Sequence, residues 1–225
     1  MTMKASLIII IPAFNESVVI KGVIREIQSY KYTNIIVVDD GSPDSTFSIS
    51  KQAGACVLRH AINRGKGAAI KTGIEAAKIM HADVVVTFDG DGQHDPKDIS
   101  RLVKKISEGY DVVLGSRFLH HQEIPFVKRI GNTIANIITY FIYGIWVTDS
   151  QSGLRAYTKR AYKIIDTQND RYEIESETLR EIRRHHLKYT EIPMRVRYTA
   201  YSQQKDNRQH IWSAILTMMK LIFVS

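Results

Sequence analysis

Apolar residues gather in five short runs along the first 118 positions, at residues 7–11, 35–39, 55–59, 84–89 and 111–115. Each run is short, rich in valine and isoleucine, and free of the polar alternation of a half-exposed strand, so strands covered on both faces are expected. Residues 17–30, 45–53, 67–80 and 96–108, which lie between them, have helical character. Strand and helix in strict alternation predict an α/β fold with a mostly parallel central sheet flanked by helices. Ligands bind such sheets beyond the C-terminal ends of the strands.

The second half is less regular. Residues 130–147 are apolar but interrupted by Asn132, Thr133, Asn136 and Gly144, which suits a partly buried or interfacial helix better than a membrane span. The apolar tail at 211–224 is too short to span, being interrupted by Lys220. It is expected as a core helix, an interfacial helix or the stump of a longer membrane region. The N-terminal run stops at Pro12 without a small-residue cleavage site, so a buried strand is expected there, not a signal peptide. The single cysteine, Cys56, excludes an internal disulfide and is expected to pack inside the third strand.

The net charge is +8. Residues 1–100 carry 11 residues of each sign, so the whole excess lies in residues 101–225. The second half is therefore expected either to meet an anionic partner, such as phosphates, a membrane surface or nucleic acid, or simply to be a solvated basic face.

The chemistry sits where the strands end. Pro12-Ala13-Phe14-Asn15-Glu16, Asp39-Asp40-Gly41-Ser42, Asn63-Arg64-Gly65-Lys66-Gly67, Asp89-Gly90-Asp91-Gly92-Gln93-His94 and Ser116-Arg117 follow the five runs in turn. They suggest an acidic cleft with a few cations, suited to a nucleotide and a metal. Asp89 and Asp91 in a turn offer hard oxygens for Mg²⁺ or Mn²⁺, and Gln93 adds a third. A solvated acidic turn is the plain alternative. A calcium-binding loop fails because Ser100 occupies its twelfth position. Ile70 stands where a dinucleotide fingerprint needs its third glycine, and no P-loop occurs.

The motifs together, in this order and spacing, resemble family 2 glycosyltransferases of the GT-A fold. Gln93-His94, Gly115-Ser116-Arg117-Phe118 and Asp149-Ser150-Gln151-Ser152-Gly153-Leu154-Arg155-Ala156-Tyr157 resemble its dolichyl/polyprenyl-phosphate mannose synthase branch. The resemblance covers residues 7–202. It implies one GT-A domain over residues 1–205, with a nucleotide-sugar half (1–118) and an acceptor half (119–205), followed by an apolar helix at 206–225. It implies that Pro12, Ala13, Phe14, Glu16, Val38, Asp40 and Gly90 bind the donor, a nucleotide-diphosphate sugar of GDP-mannose or UDP-glucose type. Asp89, Asp91 and Gln93 would hold Mg²⁺ or Mn²⁺, and Arg117 a phosphate. One departure stands out: Tyr201-Ser202-Gln203-Gln204-Lys205 replaces the branch's compact Gly-x-Ser-Lys turn, which weakens the case for Lys205 as a phosphate ligand and for mannose over glucose.

A phosphomonoester acceptor has a second pKa of about 6 and is already largely anionic at neutral pH, so it needs cations more than a base; a saccharide hydroxyl needs a base. Candidate cations are Arg117, Arg129, Arg155, Arg195 and Arg197. Arg129 and Thr133 share a helix face and would receive the acceptor phosphate, or are an exposed arginine and a packed threonine. Arg195 and Arg197 would share one strand face as a clamp, or shield an edge strand. Asp149 is a base or, preferably, orients the loop of Arg155. Glu173, Glu175 and Glu177 line the acceptor side or, preferably, form an exposed acidic face. The expectation is an inverting transfer to a polyprenyl or dolichyl phosphate at the cytoplasmic face of a membrane, with no nucleic-acid partner. The enzyme would be peripheral or anchored through its C-terminal segment.

Overall fold

The computed structural model describes residues 6–119, 126–167, 174–197 and 201, with residues 126–128 described in backbone only. The expected residue 206–225 helix, Ser202, Lys205 and Glu173 lie outside the described residues. Seven strands form one sheet in the order β3-β2-β1-β4-β6-β5-β7. They are β1 (Leu7–Ala13), β2 (Ile35–Asp39), β3 (Cys56–Arg59), β4 (Val84–Thr87), β5 (Val112–Ser116), β6 (Arg155–Thr158) and β7 (Tyr189–Pro193). All neighbours are parallel except β6, which runs antiparallel to both β4 and β5. The sheet thus takes strands from either side of residue 118.

The period of two explains why the central strands are apolar throughout. Ile9 and Ile11 of β1 enter one core layer, with Ile20, Val23, Ile24 and Ile27 of α1 (Ile20–Ser29) and Ile99 and Leu102 of α4 (Lys97–Ser107). Ile8 and Ile10 enter the other, with Ala69 and Ala77 of α3 (Lys66–Ile79) and Leu179 and Ile182 of α7 (Ile174–Arg184). Burying each large aliphatic side chain contributes roughly 1.5–3 kcal/mol. The remaining helices are α2 (Thr46–Gln52), α5 (Phe126–Tyr143) and α6 (Lys159–Ile164).

β3 is one of the two edge strands, and its end residues are exposed. Cys56 is exposed too, which corrects the expectation that it packs inside. β3 has β2 as its one neighbour strand, and Cys56 stands at its exposed first position.

β1 lies between β2 and β4, so the chain leaves it first toward one edge of the sheet and later toward the other. A crevice opens at such a reversal, above the strand ends. Asp39 and Asp40 end β2 on one side of it; Asp89 and Asp91 follow β4 on the other.

Candidate active site

The loops after β1 and β2 are locked together. The Asn15 amide donates to Ser42 Oγ at 3.0 Å, that of Glu16 to Thr46 Oγ1 at 2.9 Å, and that of Ser17 to Asp44 Oδ2 at 3.2 Å. Asp44 accepts from the Thr46 amide and hydroxyl as well. Burial works against its ionised form, but these Thr46 and Ser17 bonds win and hold it below the usual carboxylate range. The Tyr201 hydroxyl reaches the same rim, 2.8 Å from the Asn15 carbonyl and 2.9 Å from Glu16 Oε2.

Asp40 ties β2 to the following turn. Its carboxylate accepts from the Arg64 and Gly65 amides and lies 2.6 Å from His60 Nδ1, whose other ring nitrogen meets Thr72 Oγ1. Asp40 therefore shapes the Asn63–Gly67 turn that begins α3. Asp39 is fully buried, accepting from the Ser42 amide and pairing with Arg59. Val38 is also fully buried, packed in the layer with Ala69. Its side chain forms a wall of the core, because β2 is covered on both faces. Pro12, Ala13 and Phe14 run along the end of β1 beside Gly90, where an added Cβ would come within 3.3 Å of the Pro12 carbonyl.

Asp89 and Asp91 differ sharply. Asp89 Oδ1 lies 2.7 Å from Lys66 Nζ, and its Oδ2 lies 3.0 Å from His94 Nε2. Burial disfavours its charge, but Lys66 and His94 outweigh burial and hold the carboxyl far below its ordinary value. Lys66 also meets Glu175 Oε1 at 3.0 Å. Burial opposes its ammonium, yet the two carboxylates hold its pKa well above the usual lysine range. Gly153 presses onto this cluster, and a Cβ there would sit 2.6 Å from both Lys66 Nζ and Asp89 Oδ2. Asp91 accepts from the Gln93 amide at 2.9 Å and has no ion pair among the described residues. Burial, then the charge of Asp89, pushes its pKa up.

A half-buried carboxylate that lacks a cation suits a divalent ion, so the residues fit Mg²⁺ or Mn²⁺. Asp91 would hold it with help from Asp89 and Gln93. Among the described residues no group of three His, Cys, Asp or Glu side chains could hold a metal alone. That matches sites where one or two carboxylates share Mg²⁺ with substrate phosphates.

Across the crevice, Arg117 lies against Asp149. Its Nε and Nη2 donate to the two carboxylate oxygens at 2.7 Å each, and Asp149 is fully buried. Asp149 therefore holds Arg117, not the loop of Arg155. Glu191 supports this loop from below, accepting from the Thr148 amide and hydroxyl. Burial leads in pushing the Glu191 pKa up.

Several expected cations have other partners. Arg155 is 2% exposed and donates to the carbonyls of Ser150, Ser152 and Glu175. It pins the loop that carries Gly153, so it does not face an acceptor. Arg197 pairs with Glu26 at 2.7 Å and Asp95 at 2.9 Å, and its amide donates to the Gln93 carbonyl. It braces the loop after Asp91 against α1, so the expected strand-face clamp does not form. Val196 makes a single bridge to His94, and Arg195 is exposed. Arg129 and Thr133 sit on the exposed side of α5, and the Thr133 hydroxyl donates to the Arg129 carbonyl. Glu175 and Glu177 are 5% and 3% exposed, which corrects the expected exposed acidic face. Sequence reasoning gave Lys66 no role of its own, and for Glu175 it preferred an exposed face over lining the site. The Tyr172–Glu177 alternation suggested a surface, whereas a helix starts at Ile174 and turns both glutamates inward.

A sheet reversing beside β1, with an Asp-x-Asp turn on β4, defines a GT-A fold. The family model for glycosyl transferase family 2 matches residues 8–166, and the chain belongs to that family. It is 43% identical over 226 residues to an uncharacterized protein of Methanocaldococcus jannaschii, covering 98% of this chain and 90% of that one. It is 37% identical over 239 residues to the UDP-N-acetylglucosamine–dolichyl-phosphate N-acetylglucosaminyltransferase of Methanococcus voltae, covering 95% of each. Glucosyl-3-phosphoglycerate synthase from Mycobacterium tuberculosis, solved with Mn²⁺ and UDP, shares the fold. The TM-score is 0.68 at 20% identity, over 95% of this chain and 79% of that one.

Proposed function

We propose that the protein transfers a hexosyl residue, with inversion, from a nucleotide-diphosphate sugar to a polyprenyl or dolichyl phosphate. The observation that carries this reading is the Arg117–Asp149 pair. A saccharide hydroxyl acceptor needs a base, and the expected base, Asp149, has both oxygens engaged by Arg117. A phosphate acceptor is already anionic and needs none. The named relatives agree in acceptor class: besides the dolichyl-phosphate enzyme, a polyprenol monophosphomannose synthase of Mycolicibacterium smegmatis is 28% identical over 169 residues, covering 71% of this chain and 64% of that one.

In this reading the rim formed by Phe14, Glu16 and the turn held by Asp40 binds the nucleoside. Arg117, fixed by Asp149, faces the phosphates. Asp91, Asp89 and Gln93 would hold Mg²⁺ or Mn²⁺, which supplies Lewis-acid stabilisation of the leaving diphosphate. The acceptor phosphate oxygen attacks the anomeric carbon as the bond to the diphosphate breaks, so positioning and fixed charges do most of the work. Arg129 and Arg195, on exposed positions, are proposed to draw in the acceptor phosphate together with Thr133.

A membrane-surface partner is supported by α5, which is turned inside out. Asn132, Asn136 and Thr139 are buried, whereas Ile130, Ile134, Ile137 and Phe141 are exposed. Their spacing of four, three and four puts the apolar residues on one stripe, with Trp146 just beyond. Asn132 and Asn136 each donate to the Thr148 carbonyl, and this fixes which side faces in. No helix among the described residues is long and apolar enough to cross a membrane. In this reading the apolar stripe of α5 rests on the cytoplasmic face of a membrane as a peripheral attachment.

The test is transfer of radiolabelled sugar from UDP-glucose, GDP-mannose or UDP-N-acetylglucosamine, with Mn²⁺, to a polyprenyl phosphate or to free saccharides. Label moving into the lipid phase supports the proposal. Label appearing only on saccharides overturns the acceptor assignment.

A further inference from the structure

Both carboxylate oxygens of Asp89 are engaged. Oδ1 lies 2.7 Å from Lys66 Nζ and Oδ2 lies 3.0 Å from His94 Nε2, and a divalent ion shared with Asp91 would use one of the same oxygens. The two neighbours differ in freedom. His94 is 5% exposed, its ring stands edge-to-face with Phe88 at a centroid distance of 5.4 Å, and its main chain bridges to Val196. Lys66 reaches Asp89 on a flexible four-carbon stem, and its side chain keeps 21% of its surface in solvent. Lys66 is therefore the neighbour able to yield.

Glu175 offers the ammonium another place. Its Oε1 lies 3.0 Å from Lys66 Nζ, and its Oε2 is buried with no hydrogen-bond partner among the described residues. Such an orphaned carboxylate oxygen is costly, so an ammonium that shifts onto Glu175 recovers there the bond it loses at Asp89. This landing place is fixed, because Arg155 Nη1 donates to the Glu175 carbonyl at 2.9 Å. The charges sort in the same way. Asp89, Asp91 and Glu175 together with Lys66 leave two negative charges, the number that one divalent ion cancels. An ammonium and a divalent ion on one oxygen repel at short range. Lys66 on Glu175, with the ion on Asp89 and Asp91, makes two neutral sets.

We infer that Lys66 and the divalent ion exchange on Asp89 Oδ1, with Glu175 taking the displaced ammonium. The inference rests on the assignment of the ion to Asp89 and Asp91, and it makes Lys66 and Glu175 positioning residues that act through Asp89. Its consequence reaches across the fold. Lys66 begins α3 and Glu175 stands in the first turn of α7, so arrival of the ion strengthens a tie between the nucleotide-sugar half and the acceptor half.

Mn²⁺ affinity of the full chain, read from the electron paramagnetic resonance of the free ion, tests the exchange without relying on turnover. Lys66→Met should bind the ion more tightly than the wild type. Glu175→Gln should bind it about tenfold more weakly where Lys66 is present, and change affinity by no more than about threefold in the Lys66→Met background, a coupling within the range found for residues of one ion-pair network. Equal loss in both backgrounds makes Glu175 a distant charge and overturns the exchange, as does a Lys66→Met whose affinity is unchanged or weaker. A crystal structure of the wild type with Mn²⁺ and UDP gives a second readout that stands even if the variants do not fold. Lys66 Nζ should lie against Glu175 and away from Asp89 Oδ1. An ion on Asp91 with Nζ still bonded to Asp89 overturns the exchange while leaving the metal site standing. No bound ion, or one away from both Asp89 and Asp91, overturns the metal site and the exchange together. None of these readouts depends on sugar transfer, whose absence counts against the transferase reading alone.

Discussion

Arg117 and Asp149 form a closed fork that joins the end of β5 to the loop before β6, with the Arg117 amide adding a third bond to Asp149 Oδ2. The arginine is only partly exposed and its carboxylate partner is fully buried, so its guanidinium is held in place before any ligand arrives. Arg117→Lys loses the fork, because an ammonium cannot donate to both oxygens in one plane. It should lower kcat by about 10²–10³, the typical loss when one preorganised donor to developing charge is removed. Asp149→Asn should lower kcat and also the melting temperature, since breaking a buried pair on one side costs about 3–5 kcal/mol. Steady-state kinetics and thermal melts of both variants check this.

Asp91→Asn should abolish metal-dependent stabilisation by UDP or GDP while the metal-free melting temperature holds or rises. The native carboxylate is half-buried beside Asp89 without an ion pair of its own among the described residues, so neutralising it removes repulsion. Melts with and without Mn²⁺ measure both effects; a large fall in metal-free stability would contradict the assignment.

Asp44 sets part of the acid limb of stability. Its carboxyl is held below the usual range in the folded protein, so its contribution is complete above the ordinary carboxylate pKa. That contribution is lost as pH falls through the lowered folded value. Asp44→Asn should lower the melting temperature near pH 7 and lose this difference from the wild type below about pH 3, the region beneath the ordinary Asp value. Melts across pH 2.5–7, as an approximate range bracketing that value, test the sign.

Ile134→Glu and Phe141→Glu should weaken binding to vesicles of anionic lipid and leave stability within about 0.5 kcal/mol, because both side chains are already exposed. Co-sedimentation gives the first quantity and denaturant titration the second.

Gly73→Ala should destabilise by about 1–3 kcal/mol, the usual cost of overpacking a core. α3 crosses β1 so closely that a Cβ at Gly73 would collide with Ile10 Cγ2. The measurement is chemical denaturation, with transfer activity per folded molecule unchanged.

The strands, and the chemistry at their ends, were legible because both rest on local pattern. Unbroken Val/Ile runs need burial on both faces, and Asp89 and Asp91 follow such a run directly. What escaped sequence reading depends on how loops and helices turn side chains toward partners, near or far along the chain. Arg155 looked like a ligand cation until Ser150, Ser152 and Glu175 turned their carbonyls to it. Arg197 looked free until Glu26, 171 residues away, met it. Glu175 looked exposed by its alternation with Ile174 and Ser176, but it stands in the first turn of a helix whose residues 174–179 are all buried.

β6 has a consequence for the order in which the molecule is made. The strands that carry Asp89 and Arg117 are never neighbours; only β6, slotted between them in the opposite direction, joins their edges. A ribosome must therefore release residues 155–158 before the two ends of the crevice can be fixed at their working distance. Capacity to retain a nucleotide should arise late and abruptly during synthesis, after most of the donor rim has already emerged.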